Sequence, residues 1–103
     1  SGVTPALGEA PARAALAAVA AATALGIPVS FDGNFRGKLW QAWGGEPARW
    51  LRPLMAAADV LFADQRDIGL VLGRDYSAHA AEAAELAAAR DAFAAFPRLR
   101  WLS

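Results

Sequence analysis

The chain of 103 residues has no cysteine. That excludes a disulfide framework, a thiolate metal site and a cysteine nucleophile, and it leaves the redox compartment open. There is one histidine, His79. One His without Cys leaves too few nitrogen and sulfur ligands for the usual tetrahedral zinc site, and a Ser-His-Asp triad would have to use it. Neither sign of charge is in excess: Lys plus Arg is 10 and Asp plus Glu is 10. Nucleic acid and anionic membrane surfaces therefore find no electrostatic footprint. Long apolar runs are missing too. The longest uncharged stretch, Ala14 to Phe31, is diluted by Ala, Thr and Ser and broken by Pro28, unlike the roughly 20 strongly apolar residues of a membrane span. No basic-then-apolar leader opens the chain, and position 1 is Ser, so either a processed chain or a piece of something longer is expected.

What is present is mostly alanine. The chain is 56% apolar, but 28 of those residues are Ala, which bury little area. The larger apolar residues must supply most of the core. The length suits one ordinary domain, not a multidomain enzyme.

Periodicity and turn residues set an order of elements. Pro11 suits a first helical turn, and Leu16, Val19, Ala20 and Thr23 share a helical face, so a helix is expected over about 9–25, stopped by Gly26. Ile27 to Phe31 reads as a buried strand, ended by Asp32-Gly33-Asn34. Residues 33–45 read as a long loop. Glu46-Pro47 opens a helix to about Ala57, with a kink or break at Pro53. Asp59 to Ala63 reads as a second strand. Asp64 then caps a short helix to about Leu72, which Gly73 stops. Ser77 is expected to cap a last helix, with His79 in its first turn and an apolar stripe of Leu86, Ala89, Phe93 and Phe96. Pro97 ends it, and Arg98 to Leu102 reads as a third strand. Strands alternating with helices predict an α/β fold of parallel βαβ layers.

Two polar clusters follow the strands. Asp32, Asn34, Arg36 and Lys38 lie just past the first, and Asp64 and Asp67 just past the second. Ligands of open α/β sheets bind beyond the carboxyl ends of the strands. Arg36 offers a planar fork and Lys38 a compact charge to a phosphate or carboxylate. Asp64 and Asp67, one turn apart, could order Mg²⁺ through water. A plainer reading stays open at each position. Asp64 is a helix cap, Asp67 a first-turn acid, and Trp40, Trp43 and Trp50 are packing residues. Gly33 to Leu39 approaches a phosphate-binding P-loop but fails it: the glycines are one residue too close, and Leu39 stands where a metal-binding hydroxyl belongs.

The order and spacing of three segments resemble the ribokinase-like (PfkB) carbohydrate kinases. They are Ser1-Gly-Val-Thr-Pro-Ala-Leu7, the run Asp32-Gly-Asn-Phe-Arg-Gly-Lys-Leu-Trp40, and Asp59-Val-Leu-Phe-Ala-Asp-Gln-Arg-Asp67. The second resembles that family's Asp-x-Asn-x-Arg-x-x-Leu-Trp. In the third, Asp64 and Asp67 stand where the family has Asn-x-x-Glu. The opening segment and Phe35 look most like 2-keto-3-deoxygluconate kinases, with fructokinases the nearest competitor.

The resemblance implies one segment, residues 1–103, of a larger ribokinase-like domain, a partial three-layer sandwich. It implies ATP-dependent phosphorylation of 2-keto-3-deoxygluconate with Mg²⁺, in a cytoplasmic protein, and leaves a homo-oligomer open for the full-length chain. Arg36 and Asn34 would bind substrate. Asp64, Asp67 and Lys38 would lie on the nucleotide side, with Asp67 reaching a metal only through water. No catalytic residue is expected in this segment, because the family's Gly-Ala-Gly-Asp motif with its catalytic base is missing. The isolated segment is therefore expected to be inactive. Three departures bear on the site. Asp for Asn adds charge beside phosphates, Asp for Glu shortens the reach, and Gly33 for a common Pro loosens the loop. The alternative in another class is a free-standing, non-catalytic α/β domain that binds an anion through Arg36 and Lys38 or meets a partner.

Overall fold

A computed structural model describes residues 1–103. The elements in chain order are α1 (Val3–Ala6), α2 (Glu9–Ala24), β1 (Ser30–Asp32), α3 (Gly37–Trp43), α4 (Pro47–Ala56), β2 (Val60–Phe62), α5 (Gln65–Leu72), α6 (Ala81–Ala95) and β3 (Trp101–Leu102). The three strands form one parallel sheet in the order β1-β2-β3. This is the α/β fold of parallel βαβ layers that the alternation of elements predicts.

The strand order steps the same way twice. Right-handed crossovers then put both sets of helices on one face of the sheet. The burial pattern agrees. Phe31 and Leu61 are buried on one face, with Leu102 half-buried in register beside them. On the other face Ser30, Asp32, Phe62 and Trp101 are exposed. The molecule is a slab of 38 × 34 × 16 Å, two layers of the expected sandwich. Its core lies under the covered face, around Trp40, Trp50, Leu51, Leu54, Met55 and Phe96.

Helix ends follow local chemistry. After α2, Gly26 takes φ +70°; its N–H donates to the Thr23 carbonyl and that of Ile27 to Ala22 at 2.8 Å. This left-handed stop satisfies two end carbonyls. It also draws Ile27 out of β1. Pro28 has no N–H to give, so the strand starts three residues later than expected. Val29 joins the sheet differently: its N–H donates to Asp59 Oδ2 at 2.8 Å, and its carbonyl accepts from the Asp59 N–H at 2.8 Å.

Several expectations are corrected. The stretch 33–45 is not all loop, because α3 forms inside it. Trp40, three residues before Trp43, is buried, and Gly44 at φ +70° closes the helix. The short α1 was not foreseen either. The Trp43 indole N–H donates to the Ala6 carbonyl at 2.9 Å and ties α3 to α1. Helix α4 is one element that continues through Pro53. On α2, Ala20 is exposed while Leu16, Val19 and Thr23 are half-buried. Ser77 caps nothing. Its N–H donates to Asp75 Oδ1 in a turn that also holds His79, and α6 starts only at Ala81. The third strand shortens to Trp101–Leu102. On α6 the buried residues are Ala84, Ala88 and Ala92, whereas Leu86 is 54% exposed and Phe93 43%. Helix α6 packs on α5, and its covered stripe is one of small side chains. The expected packing role of the tryptophans holds: Trp40 and Trp50 are buried, and Arg13 and Arg49 stack on the Trp50 ring at 5.6 and 5.3 Å.

Candidate functional site

The carboxyl ends of β1 and β2 open into a cleft of about 960 Å³, walled by the loop after β1, the start of α5 and one side of α6. Asp32, Asn34, Arg36, Asp64 and Asp67 all line it. The two clusters that follow the strands in sequence therefore meet in space. Lys38 does not join them: it is exposed on α3, outside the cleft walls, and makes no ion pair. His79 is exposed in its turn and also lies outside the cleft.

Asp64 caps α5. Its Oδ1 accepts from the backbone N–H groups of Arg66 and Asp67, each at 2.9 Å. Asp67 reciprocates, its Oδ2 accepting the Asp64 N–H at 3.3 Å. This is a capping box, in which each side chain satisfies the other residue's region of the helix start. An Asn would cap the helix as well as Asp64 does, so the first departure from the family pattern keeps this local structure. Arg66 adds an exposed ion pair to Asp64 Oδ2 at 3.1 Å.

The two carboxyls differ in basicity. Burial pushes Asp64 up, but the Asp67 and Arg66 amides and the Arg66 guanidinium outweigh it and hold the carboxyl below its usual range. Asp67 is raised, first by burial and then by the negative Asp64 beside it; the amides of Asp64 and Phe35 oppose this only in part.

The loop after β1 is held firmly. Gly33 is buried, and its N–H donates to the Phe62 carbonyl at 2.8 Å. A proline there could not make that bond. The expectation that Gly33 loosens the loop is therefore corrected. Gly2 lies against the same turn, its N–H donating to the Asp32 carbonyl at 2.7 Å. A Cβ on Gly2 would overlap the Gly33 carbonyl oxygen, so this backbone contact requires glycine. Asn34 follows at φ +40°, a conformation Asn tolerates better than most residues. The Arg36 guanidinium is exposed and has only the Phe35 carbonyl, at 3.3 Å. Without a carboxylate partner it is free to meet an anion.

The acids do not fit direct metal ligation. Asp64 spends its oxygens on two amides and Arg66, Asp67 takes an amide, and no three His, Cys, Asp or Glu side chains gather anywhere in the chain. No chemical step is assigned to a metal on these residues.

Sequence reasoning missed Arg66, Phe62 and Phe93 as cleft walls. The Asp-Gln-Arg-Asp spacing was a usable signal for Arg66. The helical periodicity places Phe93 in the core stripe, whereas in the fold it is 43% exposed and lines the cleft.

Comparison with known proteins tests the fold. A PfkB family carbohydrate kinase from Listeria grayi, solved by crystallography, superposes with a TM-score of 0.75 over 97% of this chain. The chain carries a segment of the PfkB carbohydrate-kinase fold. The solved kinase is 23% identical, and this chain covers 29% of it. A curated protein of Haloferax volcanii, 2-dehydro-3-deoxygalactonokinase, is 39% identical over 75 residues, 73% of this chain. Those residues span 23% of that kinase's length, so this PfkB-like chain corresponds to a segment of it. No family model matches the chain. The resemblance read from the three sequence segments thus holds in relatives found both by sequence and by shape.

Proposed function

We propose that these residues form one wall of the active cleft of an ATP-dependent sugar kinase whose substrate is a 2-keto-3-deoxy sugar acid, 2-keto-3-deoxygluconate first. The observation that carries the reading is Arg36, an unpaired guanidinium beside Asn34 in the cleft at the strand ends. A sugar acid brings a carboxylate that a planar fork recognises. A relative named 2-dehydro-3-deoxygalactonokinase supports the substrate class and makes the galactonate epimer the second substrate to try.

In this reading Arg36 and Asn34 hold the sugar acid. The α5 start, with Asp64 and Asp67, borders the nucleotide, and Asp67 reaches Mg²⁺ only through water. Lys38, outside the cleft, acts on the phosphates by its charge alone. ATP supplies the phosphoryl group, and these residues position and orient rather than transfer protons. In this reading the protein works in the cytoplasm, as the family resemblance implies.

The test is ATP-dependent ADP release by protein made from the complete reading frame that holds these residues. Turnover is expected with 2-keto-3-deoxygluconate or its galactonate epimer, and little with fructose. The 103-residue chain alone is expected to give none. Faster turnover of fructose would move the assignment to a fructokinase. No turnover with any sugar would favour the non-catalytic anion-binding domain.

A further inference from the structure

We infer that Asp67 is a positioning residue for the Asn34–Arg36 loop, and that Gly33 is the residue that lets it act. The inference rests on the sugar-acid reading of the cleft for its kinetic consequence, but not for its structural one.

Three observations meet at this carboxylate. A Cβ built on Gly33 would stand 2.9 Å from Asp67 Oδ2 and 3.2 Å from its Cγ. The carboxyl group is thus seated on the bare backbone of Gly33. The same Oδ2 accepts the Asp64 N–H at 3.3 Å, which anchors it to the first turn of α5. The Phe35 amide acts on the same carboxyl, opposing the rise that burial gives it. One side chain therefore bridges the start of α5 to the segment that carries Asn34 and Arg36.

The geometry gives the two departures from the family pattern one explanation. An aspartate is a methylene shorter than a glutamate, so it must sit closer to the loop to touch it. A glycine without Cβ or ring provides that room, and its N–H still completes the bond to Phe62. Asn34, at φ +40°, sits in a sparsely populated conformation that a fixed neighbour helps to hold. Arg36 is two residues further on, and a small shift of the loop would carry its guanidinium off an oriented carboxylate.

The test uses the complete protein and two readouts. Amide hydrogen exchange at Gly33–Arg36 needs no activity. Asp67→Ala is expected to speed exchange there, while Asp67→Asn, which keeps an oxygen for the Asp64 amide, retains most of the protection. Gly33→Ala is expected to speed exchange as well, and Gly33→Ala with Asp67→Ala to do no worse than Asp67→Ala alone, because the clash and the bridge vanish together. In kinetics, Asp67→Ala is expected to raise KM for the sugar acid about tenfold, with a smaller effect on kcat. Unchanged exchange in folded Asp67→Ala protein overturns the inference whatever the assay shows. So does a raised Mg²⁺ requirement with KM for the sugar acid unaltered, which would make Asp67 a metal-side residue. If the wild-type protein turns over no sugar, the kinase reading fails while the exchange data still decide the bridge.

Discussion

Tyr76 shows how a residue gains meaning only from its neighbours. It sits in a polar connection, yet it is 6% exposed, and its hydroxyl donates to Asp91 Oδ2 at 2.6 Å. Arg74 pairs with the same oxygen at 2.9 Å. Burial, then the negative Asp91, push the phenol up to about 12. In the folded chain the phenol keeps its proton to higher pH than in the unfolded one. The unfolded state therefore binds fewer protons between about pH 10 and 12, and stability falls as pH rises through that window. Thermal unfolding followed between about pH 9 and 12 is expected to show this fall, and Tyr76→Phe to lessen it. At neutral pH the same variant is expected to lower Tm by about 5 °C, the scale of one lost hydrogen bond in a domain of this size. Trp40 is the contrasting case. Its indole N–H is buried with no acceptor, so the residue contributes through its area and its tilted contact with the Trp43 ring at 5.7 Å.

Helix α6 carries two apolar stripes, and size would choose the wrong one. Leu86, Ala89 and Phe93 offer more area than Ala84, Ala88 and Ala92, yet the alanines are buried. The cause is packing: α6 lies on α5, and its covered stripe is the one with the smallest side chains. Ala88→Leu is expected to cost about 1–3 kcal/mol by overpacking, whereas Leu86→Ala should cost less than about 0.5 kcal/mol. Denaturant titration of both variants checks the ordering; equal losses would mean that α6 presents its larger stripe to the core in solution.

At the scale of the molecule, the sheet is covered on one face and open on the other. Trp101 is 64% exposed and Phe62 45%, both on the open face. Apolar residues on a two-sided parallel sheet are ordinarily covered. Trp101 therefore reports whether this face is covered in solution. Iodide quenching of the chain is expected to reach one strongly accessible tryptophan population, which Trp101→Lys removes, leaving the signals of Trp40 and Trp50 protected. A wild-type signal that iodide barely reaches would show the face to be occupied.

The sequence by itself determined what is local or periodic: the alternation that makes the α/β sheet, the capping Asp64, the glycine stops at Gly26 and Gly73, and the polar clusters beyond two strands. These depend on backbone chemistry within a few residues, and they were legible for that reason. Only the tertiary structure decided what depends on distance between segments. It set which stripe of α6 is buried, made α3 out of an apparent loop by burying Trp40, and left Lys38 outside the cleft. It also brought Asp67 onto Gly33, two residues 34 apart in the chain. Close approach of backbones and the volume left between them are properties of packing, which no periodicity encodes.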